Sequence, residues 1–289
     1  MPHSTEPTTS GDEPQTGGWD QGQIWVKSCH TATRKLCAFL FSRKNEKKLH
    51  ITTTELDLSS GDAPDYGPCF VRPFPHERMR KYVDREQPWD KFDIHGLGIQ
   101  DSPKLCKYRR WHNACQVIKG LYYTLDNFYD EDAPADMTDD VNDLGSIYAP
   151  QWQWKLTGWV NAKDTSRPHI NAFIVDSQPH RVGRLNTGEV SIAYGLISNR
   201  RIYDGYNDHR YIPVTIVSAS DFQVRILQIW HDKQNPRALQ VRSSRIMDFK
   251  DGVQSNLDDW VTILCWMAGE PIGDTKSGTE VIPVVEDDA

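Results

Sequence analysis

The stretch TGEVSIAYGLISNRR, residues 187–201, decides how this chain is read. Thr187 can act as N-cap for a helix over residues 188–201, because a hydroxyl oxygen accepts one of the first-turn N–H groups that a helix leaves unpaired. Glu189 sits in the positive first turn, and Val190, Ala193, Tyr194 and Ile197 recur at steps of three and four. Arg200 and Arg201 close the helix at its negative end.

Outward from this helix the pattern turns to strands. Residues 151–160 place Trp152, Trp154 and Leu156 on one strand face, and residues 170–176 form a short apolar run. Downstream, residues 211–218 are apolar and β-branched, and residues 222–231 alternate through Phe222, Val224, Ile226 and Gln228. Residues 238–249 follow after a turn at 232–236, which makes a meander. Ser255 can cap a last helix over residues 256–268, with Leu257, Trp260, Val261, Leu264 and Cys265 inward and Gly269 as its stop.

The first half is less sharply marked. In residues 104–125, Leu105, Tyr108, Trp111, Cys115, Ile118, Tyr122 and Leu125 recur at helical spacing, which predicts one amphipathic helix. Acids and Pro134 then break the pattern and predict a long loop over residues 126–148. Residues 24–58 fit either a hairpin or a helix followed by a strand, and residues 59–75 are crowded with Gly, Pro and Asp, which favours turns. Residues 1–22, rich in Pro, Thr, Ser, Gly and acids, read as a disordered acidic tail. The fold class expected is α+β: a mainly antiparallel sheet from the second half packed against three or more helices. It forms a single domain over residues 23–285, with a point of subdivision near 126–148 and a short acidic tail at 286–289.

Composition sets bounds on function. The net charge of −7 is concentrated at the ends, in Glu6, Asp12, Glu13 and Asp20 and in Glu286, Asp287 and Asp288, so residues 24–285 are formally neutral. That balance argues against bulk electrostatic binding of nucleic acid or membrane. Residues 126–143 carry eight acids and no bases, whereas residues 24–125 carry eighteen Lys and Arg against eleven acids, so the acidic stretch is placed to fold back on the basic half. No apolar run reaches the roughly 20 residues of a membrane span, and the N-terminus has no secretory pattern. The six cysteines lack any C-x-x-C pair and read as reduced thiols, which predicts an intracellular protein, cytoplasmic or nuclear.

No chemistry-bearing motif is complete. His112 and Cys115 stand one helical turn apart, as two zinc ligands would, but a zinc site needs three or four. Asp130, Asp132 and Asp136 lack the glycine and closing glutamate of a calcium loop. There is no G-x-S-x-G, and Gly96-Leu97-Gly98 lacks the third glycine of a dinucleotide loop. A magnesium nuclease would set a helix carboxylate beside strand-end carboxylates and a Glu-x-Lys pair. Here Glu189, Asp176, Asp221 and Asp232 supply carboxylates, but Gln228 and His231 stand where the pair is wanted. His231-Asp232 and Asp208-His209 set an imidazole beside an acid, although neighbours on a strand point to opposite faces. Trp152, Trp154 and Trp159 cannot all share one strand face, so they are the candidate interaction residues, an uncovered Trp in a cleft marking a ligand or partner site.

The succession Leu185-Asn186-Thr187-Gly188-Glu189, Ile212-Pro213-Val214-Thr215-Ile216-Val217-Ser218, Val224-Arg225-Ile226-Leu227-Gln228, Leu239-Gln240-Val241-Arg242, Ile246-Met247-Asp248-Phe249 and Gly269-Glu270-Pro271-Ile272-Gly273-Asp274-Thr275 resembles a group of filamentous-fungal proteins without an assigned activity. The likeness covers residues 152–275. It implies an origin and a shared fold and supplies no catalytic residues. The expectation is therefore a non-catalytic interaction or regulatory protein with a protein partner and no cofactor. The alternative is an enzyme with a dispersed acid/base or magnesium-dependent nuclease-like site drawn from Asp176, Glu189, Gln228 and His231.

Overall fold

The computed structural model describes residues 18–36, 40–59, 67–87, 103–131, 137–142 and 154–277. Its frame is an eight-stranded mixed sheet. Strands β1 (Ile51–Glu55), β3 (Met137–Asn142), β4 (Trp154–Ala162), β5 (Ile170–Asp176), β6 (Tyr211–Ser220), β7 (Gln223–Asp232) and β8 (Leu239–Ser243) lie in the order β1-β8-β7-β6-β5-β4-β3, and β9 (Met247–Asp248) pairs with β7. The β5–β6 and β1–β8 pairs are parallel and the others antiparallel. The mainly antiparallel α+β expectation holds, although the sheet also draws β1 and β3 from the first half. A separate two-stranded ribbon joins β2 (Val71–Arg72) to β10 (Glu270–Pro271).

Helices cover both faces. On one side lie α1 (Gln21–Arg34) and α5 (Thr187–Ile202), with a core that includes Val26, Ile174, Val190, Ile216 and Leu227. On the other lie α3 (His76–Glu86), α4 (Pro103–Glu131) and α6 (Leu257–Met267), around Val83, Leu121, Phe173, Val217 and Trp260. A strand covered on both sides needs apolar residues on both. That is why β6 is buried throughout and its sequence reads as a run rather than an alternation.

The sequence places α5 correctly but understates its burial. The helix is packed between α1 and the sheet, and small residues let its neighbours approach closely. A Cβ on Gly188 would meet Trp154 Cγ at 2.6 Å, so glycine is what lets the start of α5 lie against that indole. Its N-cap is Asn186 rather than Thr187, and the Glu189 carboxylate reaches back to accept from the Asn186 N–H at 2.7 Å. Similarly, α6 starts at Leu257 behind a single 3-10 turn, with Asn256 at the N-cap position in place of Ser255.

Three other expectations change. Residues 24–58 adopt the helix-then-strand alternative, as α1, the short α2 (Arg43–Lys48) and β1. Asp20, assigned to the tail, caps α1 through the Gln23 N–H at 2.8 Å; residues 1–17 and 278–289 lie outside the described residues. The loop expected over 126–148 is partly regular, because α4 continues to Glu131 and β3 forms an edge of the sheet. Of the eight acids in this stretch only Asp126 has a described side chain, and it is exposed.

The tryptophan argument fails for a geometric reason. Pairing of β4 with β5 slips between Leu156 and Gly158, so Thr157 is an extra residue, and its hydroxyl donates to the Phe173 carbonyl at 3.1 Å. A bulge of one residue inverts the alternation beyond it. Trp154 and Trp159 therefore pack against the same core, on the α5 side, while Val160 turns to the opposite one. Trp152 lies outside the described residues.

Candidate functional site

The structure brings two of the four suspected catalytic residues together. Asp176 ends β5 and Glu189 opens α5, so both lie where a parallel strand hands over to its crossover helix. Arg225 of β7 reaches the same place from across the sheet: its Nε donates to Glu189 Oε1 at 2.8 Å and its Nη2 to Oε2 at 2.5 Å. Nη1 donates to the Arg184 carbonyl at 2.8 Å. Glu189 is 0% exposed and Arg225 2%. Burial pushes the Glu189 carboxyl up, but the Arg225 charge, with hydrogen bonds from Arg225 and from the Asn186 N–H, outweighs it and holds it below its usual range. Asp176 goes the other way: burial, with Glu189 adding to it, raises its carboxyl well above the ordinary value, against the Gln178 N–H that donates to it at 2.8 Å, a hydrogen bond from the Asn186 side chain and the Arg225 charge.

His180 completes this cluster. Its Nε2–H donates to the Ser218 carbonyl at 2.9 Å, leaving Nδ1 as the acceptor facing Asn186 Nδ2 at 3.4 Å. Burial, with the Arg225 charge, depresses the ring to about 4, so it is neutral. The serine hydroxyls of Ser177, Ser218 and Ser220 are buried nearby, without hydrogen-bond partners among the described residues. The arrangement is a closed ion pair with an acid and an imidazole packed against it, and no side chain of the group opens to solvent.

The other two suspects lie elsewhere, on opposite faces of β7. His231 points to the α1 side, where Arg201 Nε donates to its Nδ1 at 3.1 Å and its Nε2–H donates to the Pro236 carbonyl at 2.9 Å. Both nitrogens are occupied, and burial with the Arg201 charge lowers the ring to about 4, which removes it as a general base near neutrality. Gln228 points the other way and accepts from Arg242 Nη1 at 2.8 Å; the Arg242 guanidinium lies 4.5 Å over the Trp230 ring.

His112 and Cys115 share α4 but no common target: His112 Nε2 lies 3.4 Å from Gln116 Nε2, and Cys115 packs against the core with its thiol pushed up by burial. Among the described residues, no group of three or more His, Cys, Asp or Glu is placed to hold a metal ion. Trp154 is covered by α5, and Trp159 is half-buried against the same core. No described helix is long and apolar enough to cross a membrane.

An open site lies at the other end of β5. A cavity of about 740 Å³ is enclosed by the β2–β10 ribbon, the start of α3 and the turn between β4 and β5. Arg72, Arg78, Lys163 and Arg167 line it together with the carboxylates of Asp164 and Glu270. Arg72 pairs with Glu270 at 3.2 Å across an exposed rim, and Arg167 pairs with Asp164 at 3.3 Å. The floor is apolar, with Phe74 beneath the Arg78 guanidinium at 5.0 Å. Its walls are tied together: Arg167 donates to the Pro271 carbonyl, His169 Nε2–H to Ile272 O at 3.0 Å, and Asn171 Nδ2 to Met267 O at 3.1 Å. Gly269 is what lets the ribbon close, since a Cβ there would meet Val71 Cγ1 at 2.6 Å and the Arg72 carbonyl at 2.9 Å.

Sequence reasoning missed this pocket. Its cations come from segments that are far apart in the chain, and no spacing links them; the only signal was the excess of bases in residues 24–125, to which Arg72 and Arg78 belong. Set against known proteins, the chain matches no family model, no curated protein and no solved structure.

Proposed function

We propose that this is a non-catalytic interaction or regulatory protein whose partner docks at the cationic pocket before β5. The observation that carries the reading is the fate of the candidate catalytic groups. Glu189 is held by Arg225, His231 by Arg201 and the Pro236 carbonyl, and Gln228 by Arg242. A general base or nucleophile must reach its substrate, and these groups are consumed in buried contacts. The pocket, in contrast, presents cations at an open rim over an apolar floor, the combination that binding sites use for orientation and affinity. A protein partner, an intracellular setting and kinship with the filamentous-fungal group belong to the same proposal.

The alternative, an enzyme with a dispersed acid/base or magnesium-dependent site, has one observation in its favour: Asp176 and Glu189 converge at the end of β5. Against it stands the Arg225 guanidinium, which occupies both Glu189 oxygens where a metal ion or proton would be wanted.

The test is a paired capture from the cells that express the protein. Wild-type chain and an Arg78→Glu/Lys163→Glu variant, both shown to be folded by circular dichroism, serve as baits. A protein retained by the first and lost from the second is the expected result. Identical profiles would contradict the reading.

A further inference from the structure

We propose that this chain forms a two-fold dimer through the outer edge of β1, a contact that uses none of the residues of the pocket before β5. Among the described residues β1 is an end strand of the eight-stranded sheet, paired in parallel with β8. The bonds at its two ends set which groups point outward: the Leu239 N–H donates to the His50 carbonyl at 3.3 Å, and the Leu56 N–H to the Ser243 carbonyl at 3.0 Å. In a parallel ladder alternate residues turn their N–H and C=O to the neighbour, so the even-numbered residues of β1 face β8. Ile51, Thr53 and Glu55 therefore hold these groups out from the sheet, and Thr52, Thr53 and Glu55 are exposed.

Such a row is a template for another strand, and edges that stay single are commonly blunted by proline, lysine or a bulge. The strand reads ITTTE, and its register with β8 runs unbroken from Ile51 to Glu55, so it carries none of these devices. Its threonines are β-branched and suit cross-strand packing.

Charge selects a second copy as the occupant. Lys47 and Lys48 close α2 just before β1, and Glu55 ends the strand. A two-fold axis through Thr53 makes the copies antiparallel and lays the start of each strand against the end of the other. Ile51 then lies opposite Glu55 of the second copy, with Lys47 and Lys48 near that carboxylate, and Thr53 pairs with its own counterpart. The faces agree as well: Leu49 and Ile51 both pack into the core beneath α1 and α5, and Thr53 and Glu55 share the Ile51 face of the strand. A parallel neighbour would set like charges side by side. So short a strand buries little area, which makes the dimer weak, with a dissociation constant of roughly 10–100 µM.

The experiment is sedimentation equilibrium of the full chain at low ionic strength, from about 1 to about 500 µM to bracket that constant. The mass is expected to rise from one chain towards two. Thr53→Pro removes the outward N–H at the axis and leaves the bonds to β8 in place, so it should stay monomeric with an unchanged urea midpoint. Glu55→Lys and Lys47→Glu/Lys48→Glu should each weaken self-association by at least about tenfold, and an equimolar mixture of the two should restore it, because opposite charges then meet at both ends. At one high concentration, NMR hydrogen exchange should find the Thr53 amide slower in wild type than in Glu55→Lys, and the Thr52 amide, which faces β8, unchanged. A wild-type chain that stays monomeric, a dimer indifferent to Thr53→Pro, or a mixture that associates no better than its components would overturn the proposal. If Thr53→Pro does not fold, the charge-reversed pair and its mixture decide the matter. A monomeric chain whose Thr53 amide is slowed only by a captured protein would also overturn it, assigning the edge to a foreign strand.

Discussion

The two ends of β5 each hold a gathering of charge, and the two are built in opposite ways. At the C-terminal end Glu189 and Arg225 face each other in a closed interior, with Asp176 and His180 packed beside them. Roughly 20 Å away along the strand, Arg72, Arg78, Lys163 and Arg167 stand around an open cavity, Arg72 paired with Glu270 and Arg167 with Asp164. A buried charge must be answered within the protein, because the cost of leaving water is otherwise several kcal/mol. An exposed charge is answered by water and stays available to a ligand. The first arrangement holds the sheet to its helix, and the second leaves a binding surface.

That contrast breaks most visibly at Arg225. Replacing it with Met strands Glu189 at zero exposure without a counter-charge, and the loss expected is about 3–5 kcal/mol, read from urea unfolding. Next comes Gly188→Ala at the same end. The new methyl would press on Trp154 at 2.6 Å, and overpacking of this kind costs about 1–3 kcal/mol, again by urea midpoint.

A smaller effect is expected from pH. His169, His180 and His231 are each pulled to about 4, chiefly by burial, so the unfolded chain binds their protons more readily than the folded one. Their contribution to stability is complete above the unfolded value near 6.5 and is lost as pH falls from there towards 4. Asp176 works in the opposite sense, since its raised carboxyl favours the folded state as pH falls. The unfolding midpoint should therefore drop between pH 7 and 5, and Asp176→Asn should stabilise the protein more at pH 8 than at pH 5. A midpoint that rises on acidification would contradict the assignment of neutral, buried imidazoles. Smallest of all, Arg72→Ala at the pocket rim should change stability by less than about 0.5 kcal/mol, because its pair with Glu270 is more than half exposed on both sides.

How far the sequence foretold this depends on whether a feature is local. The α5 helix, the β6 and β7 strands and α6 were legible because their period is written within a dozen residues. The bulge at Thr157 was not, since an inserted residue is visible only against the partner strand, and it reversed the reading of Trp159. Glu189 and Asp176 could be suspected from a helix start and a strand end. Arg225, the residue that decides what they do, lies 36 residues downstream of Glu189 in a strand whose pattern explains only its apolar neighbours. The coverage of both sheet faces could be read from β6, where apolar residues run without alternation. The pocket could not, because β2 and β10 are two-residue strands that pair across most of the chain.

The claim that the sealed end of β5 is structural is tested most directly by a double-mutant cycle on Glu189→Gln and Arg225→Met, with stability measured by urea unfolding at pH 7.5. If Arg225 exists to balance Glu189, the double variant will be more stable than Arg225→Met alone, with a coupling of about 2 kcal/mol or more. Losses that simply add, within about 0.5 kcal/mol, would show that the two side chains do not depend on each other and that Glu189 is free for other work.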